Sequence, residues 1–267
     1  MGKKMSNWEK FEKDCTAYLR NTFGKYADFE CCGGSDSSQS DIMVTTHSQK
    51  TFYIEAKRCP AQCGQFVLLP NDETKQFEYS NDNVNPINSY STDIINHMNC
   101  LFDEYKDAGT AGKAIDFTDC SSVFAAWIIN AYKDKNVRFV ITNNNIILPI
   151  EDFASFFNIT AKYRVKRSGS SSVGKRKIPG VSQYLKDEYQ IQEIQSEGRK
   201  LFVTSTQELH REKFNFDGTE YMFSRYGKNY EIRKLSGTAN ANVIFRIQSQ
   251  TNACGLKTQE FILALKS

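Results

Sequence analysis

Asp41 is followed, after thirteen intervening residues, by Glu55-Ala-Lys57. On a strand, residues i and i+2 point to one side, so Glu55 and Lys57 share a face. An antiparallel hairpin of Asp41–Thr46 and Thr51–Lys57, turning through His47–Lys50, sets Asp41 beside them. Two carboxylates and one ammonium then converge, as hydrolysis of a phosphodiester requires. Magnesium takes oxygen ligands and leaves positions for water and phosphate oxygens. Asp41 and Glu55 would supply two ligands and the Ala56 carbonyl a third. The ion would stabilise charge on the phosphate and lower the pKa of a bound water. Lys57 would orient the attacking water and offset charge in the transition state. The spacing alone is a weak signal, since a solvated strand face produces it as readily. Its context has to carry the argument.

The elements that position these residues begin with a helix over about Ser6–Phe23, with Ser6 as N-cap and Glu9 three residues on. Trp8, Phe11, Cys15, Leu19 and Phe23 form one apolar stripe at helical spacing. Glu12 falls inside that stripe, and an acid on a buried face is costly unless its charge is compensated. Glu12 is therefore expected to point at the hairpin and to serve a second metal or its water. Gly24 ends the helix, and the Gly/Ser-rich stretch from Gly33 to Ser40 reads as a turn or a loop close to a ligand.

Further on, Gln65–Leu69 is a short apolar run and Asn71–Asn88 a polar loop. Helices are expected over Tyr90–Lys106 and Ser121–Lys133, separated by small residues at Gly109–Gly112. Val137–Ile141 and Ile146–Leu148 read as strands, and Pro149–Phe157 as a short helix. This order gives an α/β (α+β) layer, a mixed sheet flanked by helices. Beyond Asn158 come a basic strand Ala161–Arg167, a flexible loop Ser168–Ser172 and a helix over Ser182–Gln195. Short strands at Leu201–Thr204, Tyr221–Arg225, Tyr230–Leu235 and Val243–Gln248 suggest one or two small extra sheets.

The formal net charge of +3 conceals an asymmetry. Residues 1–157 hold 15 Lys and Arg against 21 Asp and Glu, and residues 158–267 hold 19 against 10. Lys162–Lys177 carries seven basic residues and no acidic one. An acidic half suits cations and a basic half a polyanion. No run of 18 apolar residues occurs, and Met1–Lys10 is too polar for a signal peptide, so a cytoplasmic protein is expected. The start also fits the short myristoylation pattern, a weak match without other membrane features. The eight cysteines lack zinc spacing and are expected as reduced thiols, not nucleophiles.

With these residues in hand, the chain resembles the PD-(D/E)xK nuclease superfamily, Ser40-Asp41 standing for Pro-Asp and Glu55-Ala-Lys57 for the (D/E)xK element. It is similar, more closely, to the HhaI-like type II restriction endonucleases. Trp8–Glu12, Ser35–Ser37, Ser40–Ile42, Phe52–Lys57, Gln62–Leu68, Tyr163–Ser170 and Asn240–Phe245 carry that likeness. The turn between Asp41 and Glu55 is about two residues longer here, which lengthens a hairpin tip.

The resemblance implies Mg2+-dependent cleavage of duplex DNA at a short palindrome, GCGC, by a prokaryotic enzyme acting as a monomer. It implies a cognate DNA methyltransferase in the same restriction-modification system. It carries Asp41, Glu55 and Lys57 over as catalytic. Gln62 and Gln65 follow the motif and either hold the site or touch the scissile strand; bonding to nearby backbone is the plain alternative. Guanine offers O6 and N7 to Arg or Lys in the major groove. Tyr163, Arg164, Lys166, Arg167 and Ser168 are therefore candidates for DNA binding, and Lys175, Arg176 and Lys177 for phosphate contacts. The expected division is a catalytic domain at 1–157, a recognition region at 158–205 and a β-rich DNA-contacting subdomain at 206–267. A junction resolvase and a non-cleaving DNA-binding protein are the alternatives. The length of the basic half opposes the first, and the intact Asp/Glu/Lys set the second.

Overall fold

The computed structural model describes residues 7–33, 40–167, 170–235, 239–250 and 258–267. The chain divides into two compact units, residues 1–164 with 241–267, and residues 165–240.

The first unit opens with α1, Asn7–Phe23. Cys15, Leu19 and Phe23 recur at helical spacing and are buried. The helix closes at Gly24, whose amide donates to the Arg20 carbonyl at 3.0 Å. A Cβ on Gly24 would lie 2.4 Å from that oxygen, so only glycine follows the helix this tightly. Strand β1, Ala27–Cys31, is tied back to α1 by Arg20, whose Nε donates to the Phe29 carbonyl at 2.7 Å. Strand β2, Ile42–Thr46, pairs antiparallel with β1 and with β3, Thr51–Lys57, through the turn the sequence leads one to expect.

There follow β4 (Ala61–Asn71), β5 (Gln76–Tyr79), α2 (Ser89–Cys100), α3 (Phe102–Tyr105), β6 (Lys113–Ile115) and α4 (Cys120–Lys133). Asn88 caps α2 reciprocally with Ser91, each side chain accepting from the other's amide at 2.9 Å. Then come β7 (Val137–Thr142), β8 (Ile146–Pro149), α5 (Phe153–Phe156) and β9 (Phe157–Arg167). One sheet has the order β1-β2-β3-β7-β8, with β3 and β7 parallel. A parallel neighbour needs a long crossover, and the elements from β4 to α4 provide it. The sheet's core is apolar throughout: Leu19, Ile42, Val44, Ile54 and Ile141 are completely shielded. Each such side chain contributes about 1.5–3 kcal/mol by leaving water.

In the second unit, β10 (Ser170–Ser172) and α6 (Ile178–Glu188) precede β11 (Ile191–Glu197), β12 (Lys200–Ser205), β13 (Lys213–Phe216), β14 (Thr219–Tyr226) and β15 (Asn229–Leu235). They form an antiparallel sheet of order β11-β12-β15-β14-β13, with β10 on β15. Val181 and Leu185 of α6 pack with Leu201, Val203, Phe223 and Ile232 as its core.

The chain then re-enters the first unit. Strand β16, Ala239–Ser249, joins a second sheet of order β5-β4-β16-β9-β6, and α7, Thr258–Lys266, lays Phe261 into the first core. Phe245 of β16 and Phe66 of β4 meet Trp127 of α4 with ring centroids 4.7 and 5.4 Å apart. Among the described residues no helix is long and apolar enough to cross a membrane.

The expected mixed sheet with flanking helices is present, together with a smaller β unit. The expected boundaries at 157 and 205 are not where the compact units divide. The first unit runs to Arg164 because β9 is a strand of its second sheet, and it resumes at Ala241 for the same reason. Val243–Gln248 thus lies in the second sheet of the first unit and not in the sheet of the smaller unit. Several local expectations change as well. The polar stretch Asn71–Asn88 contains β5, and the helix expected over Tyr90–Lys106 breaks at Leu101 (φ −123°). Pro149–Phe157 is a 3-10 turn followed by the single turn α5. The loop expected at Ser168–Ser172 includes β10, and the helix expected to reach Gln195 stops at Glu188.

Candidate active site

The hairpin register decides the geometry. Ile42 lies opposite Ile54, so Asp41, one step before, falls opposite Glu55. The end of β1 fixes Asp41 from behind, because the amides of Cys32 and Gly33 both donate to its carbonyl at 2.9 Å. Asp41 Oδ2 accepts the Ala56 amide at 2.9 Å and Lys57 Nζ at 3.1 Å. Lys57 Nζ also lies 2.6 Å from Glu55 Oε2. One ammonium therefore ties together two carboxylates from adjacent strands. From the other side of β3, Thr142 Oγ1 donates to the Lys57 carbonyl at 2.7 Å and holds the strand end in place.

Glu12 is buried and enters the same cluster from α1. Gly33 makes room for it, since a Cβ there would lie 2.1 Å from Glu12 Oε2. Burial, then the Asp41 charge, raises the Glu12 carboxyl to about 7, against the opposing pull of Lys57. Burial also raises Glu55, with Asp41 adding and Lys57 opposing. Burial works against the charge on Lys57, but Tyr132, Glu55 and Asp41 outweigh it and hold the ammonium well above its usual value.

These groups line a cavity of about 760 Å3. Glu12, Asp41, Glu55, Ala56, Lys57 and Gln62 all reach it, and Trp8, Arg58, Tyr132 and Lys135 are among its other lining residues. Gln65 is not part of the wall, but accepts a hydrogen bond from Gln62 Nε2 at 3.0 Å. Residues three apart on a regular strand face opposite ways. A bulge at Cys63 brings this pair together: Phe245 pairs with Gly64, and Arg246 already with Gln62. Tyr132 holds the bulge, its hydroxyl donating to the Cys63 carbonyl at 3.1 Å. Burial pushes the thiols of Cys15 and Cys63 up to about 12, which suits inert packing and not nucleophilic work.

The donor set suits a hard cation. Glu12, Asp41 and Glu55 present only carboxylate oxygens to one cavity. Among the described residues no group of three or more His, Cys, Asp or Glu side chains is already gathered for a metal. Lys57 stands between Asp41 and Glu55 instead.

The residues expected to bind DNA fare differently. Tyr163 is fully buried, its hydroxyl donating to the Leu68 carbonyl at 2.8 Å. It is a core residue of the second sheet and offers nothing to a ligand, which corrects the expectation. Arg164 is partly buried, with an Nε that finds no partner among the described residues. Lys166, Lys175 and Arg176 are exposed, as is Lys177, which pairs with Asp217. Ser168 and the Arg167 side chain lie outside the described residues, as do Ser6, Ser35–Ser37 and Cys254. Sequence reading missed Arg58, Tyr132 and Lys135. Arg58 directly follows the motif and was open to notice; nothing local marks the other two. Trp8 was placed on the buried stripe, yet its side chain is 47% exposed.

A mixed sheet whose central hairpin delivers two carboxylates and a lysine to one cavity is the architecture of a restriction-endonuclease fold. A solved structure of HhaI endonuclease in complex with DNA matches with a TM-score of 0.71 and 37% sequence identity, over 98% of this chain and 100% of that one. The chain belongs to the family of HhaI-like restriction endonucleases. No protein-family model matches the sequence, and no curated protein does.

Proposed function

We propose that this chain is a type II restriction endonuclease of the PD-(D/E)xK kind, hydrolysing duplex DNA at a short palindrome with Mg2+. The observation that carries the reading is the convergence of Asp41, Glu55 and Lys57, within 3.1 Å of one another through the lysine, in a cavity shared with Glu12. Asp41 and Glu55 would hold the ion, with the Ala56 carbonyl as a further oxygen and Glu12 serving a second ion or a water. Mg2+, when bound, supplies positive charge to the phosphate and acidifies water.

The chain's own groups account for the rest. Lys57 is a fixed cation at the reacting phosphate, oriented by the two carboxylates and offsetting charge that grows in the transition state. The buried setting of Glu55 lowers the local dielectric and strengthens that effect. Gln62, backed by Gln65, would donate a hydrogen bond to the scissile strand. Recognition of GCGC falls to Arg164, Lys166, Arg167 and Ser168, with Lys175, Arg176 and Lys177 positioning the backbone; Tyr163 is withdrawn from this set. A cytoplasmic monomer that nicks the two strands in turn, with host DNA protected by a cognate methyltransferase, completes the reading.

The test is digestion of a sequenced plasmid by wild-type protein and Lys57→Ala, with and without Mg2+. Discrete fragments ending at GCGC are expected from wild-type protein with Mg2+ only, and a rate lower by about a hundredfold to a thousandfold from the variant. Fragments ending elsewhere would keep the chemistry and discard the site sequence. A plasmid left intact under every divalent metal would sink the nuclease reading.

A further inference from the structure

The rim of the catalytic cavity carries an unexplained aromatic. Trp8 heads the apolar stripe of α1, yet its side chain is 47% exposed, whereas Trp127, the other tryptophan of the chain, is 1% exposed. A large apolar side chain in water forgoes the stabilisation of burial. Its position gives that exposure a use. Trp8 lies four residues before Glu12, and residues four apart are neighbours on one helix face. The indole and the carboxylate line the same cavity, together with Arg58 and Gln62. A nucleic-acid strand alternates an anionic phosphate with a flat sugar and base, and the cavity offers a counterpart to each: a cation at Lys57 for the phosphate and the indole for the flat face.

We propose that the Trp8 indole packs against the sugar or base of the nucleotide adjoining the phosphate held at Lys57, and so positions the scissile bond. The inference rests on the nuclease reading above. Every base has a π-face, so such stacking tolerates sequence and acts by placement rather than by readout.

Because the chain has only two tryptophans and one is buried, the emission of Trp8 reports its own surroundings. Binding of a short duplex containing GCGC, with Ca2+ in place of Mg2+, is expected to quench that emission and shield it from acrylamide. Trp8→Phe should lose the response. Trp8→Ala should bind the duplex about tenfold more weakly with an unchanged melting temperature, as befits an exposed residue. A duplex that binds in a gel shift yet leaves the emission of the wild-type protein unchanged overturns the inference and leaves the nuclease reading standing. Failure to bind or cut any duplex removes both.

Discussion

At the scale of single residues, the most informative group is Glu12. Its carboxyl is raised from 4.5 to about 7, so between these values the folded chain holds a proton that the unfolded chain has released. Stability must therefore fall as pH rises through that window, and level off above it. A shift of this size corresponds to at most about 3 kcal/mol. Urea denaturation in metal-free buffer from pH 4.5 to 8 should show the loss, and Glu12→Gln should flatten it. Parallel profiles for the two proteins would remove Glu12 as the source. The acid was legible in the sequence because it interrupts an apolar stripe. Trp8, on the same stripe, was not: periodicity says which face a residue joins, but not where the core beneath that face ends.

At the scale of elements, regular pattern was legible and broken pattern was not. The Asp41–Lys57 hairpin has two runs rich in β-branched and aromatic residues joined by a polar turn, and its strands and pairing follow the sequence closely. Strand β11 was misread as helix because a bulge between Ile191 and Glu193 puts Ile191 and Ile194 on one face, the spacing a helix would give. The bulge at Cys63 acts the same way on Gln62 and Gln65. The short strands β5 and β6, with few residues each, left no periodicity to find. The Cys63 bulge also has a steric requirement. A Cβ on Gly64 would lie 2.8 Å from Trp127 Cζ3, deep in the aromatic cluster. Gly64→Ala should cost about 1–3 kcal/mol, read as a lower urea midpoint and an altered Trp127 emission. A variant as stable as wild type would show that the ring yields freely.

At the scale of the whole molecule, the charge asymmetry read from the sequence has a structural counterpart. The acidic cluster lies in the first unit, and the exposed cations Lys166, Lys175 and Arg176 lie in the second. If the last two meet phosphates, Lys175→Ala with Arg176→Ala weakens duplex binding without regard to sequence. The slope of log affinity against log salt should become shallower by about 2. An unchanged slope would assign those cations to solvent. The division into units escaped the sequence because it does not follow chain order: β16 lies some seventy residues beyond β9 yet pairs beside it.

That pairing has a consequence for how such a protein can change. The second unit leaves the first at the end of β9 and returns at the start of β16, and these two strands are neighbours in one sheet. Neighbouring strands run about 5 Å apart, so the inserted segment spans almost no distance in the framework that hosts it. Its size and sequence can drift, because lengthening a loop whose ends already meet adds little to the entropy of closing it. The catalytic framework can then persist while the insert is rewritten, as a handle outlasts its blades.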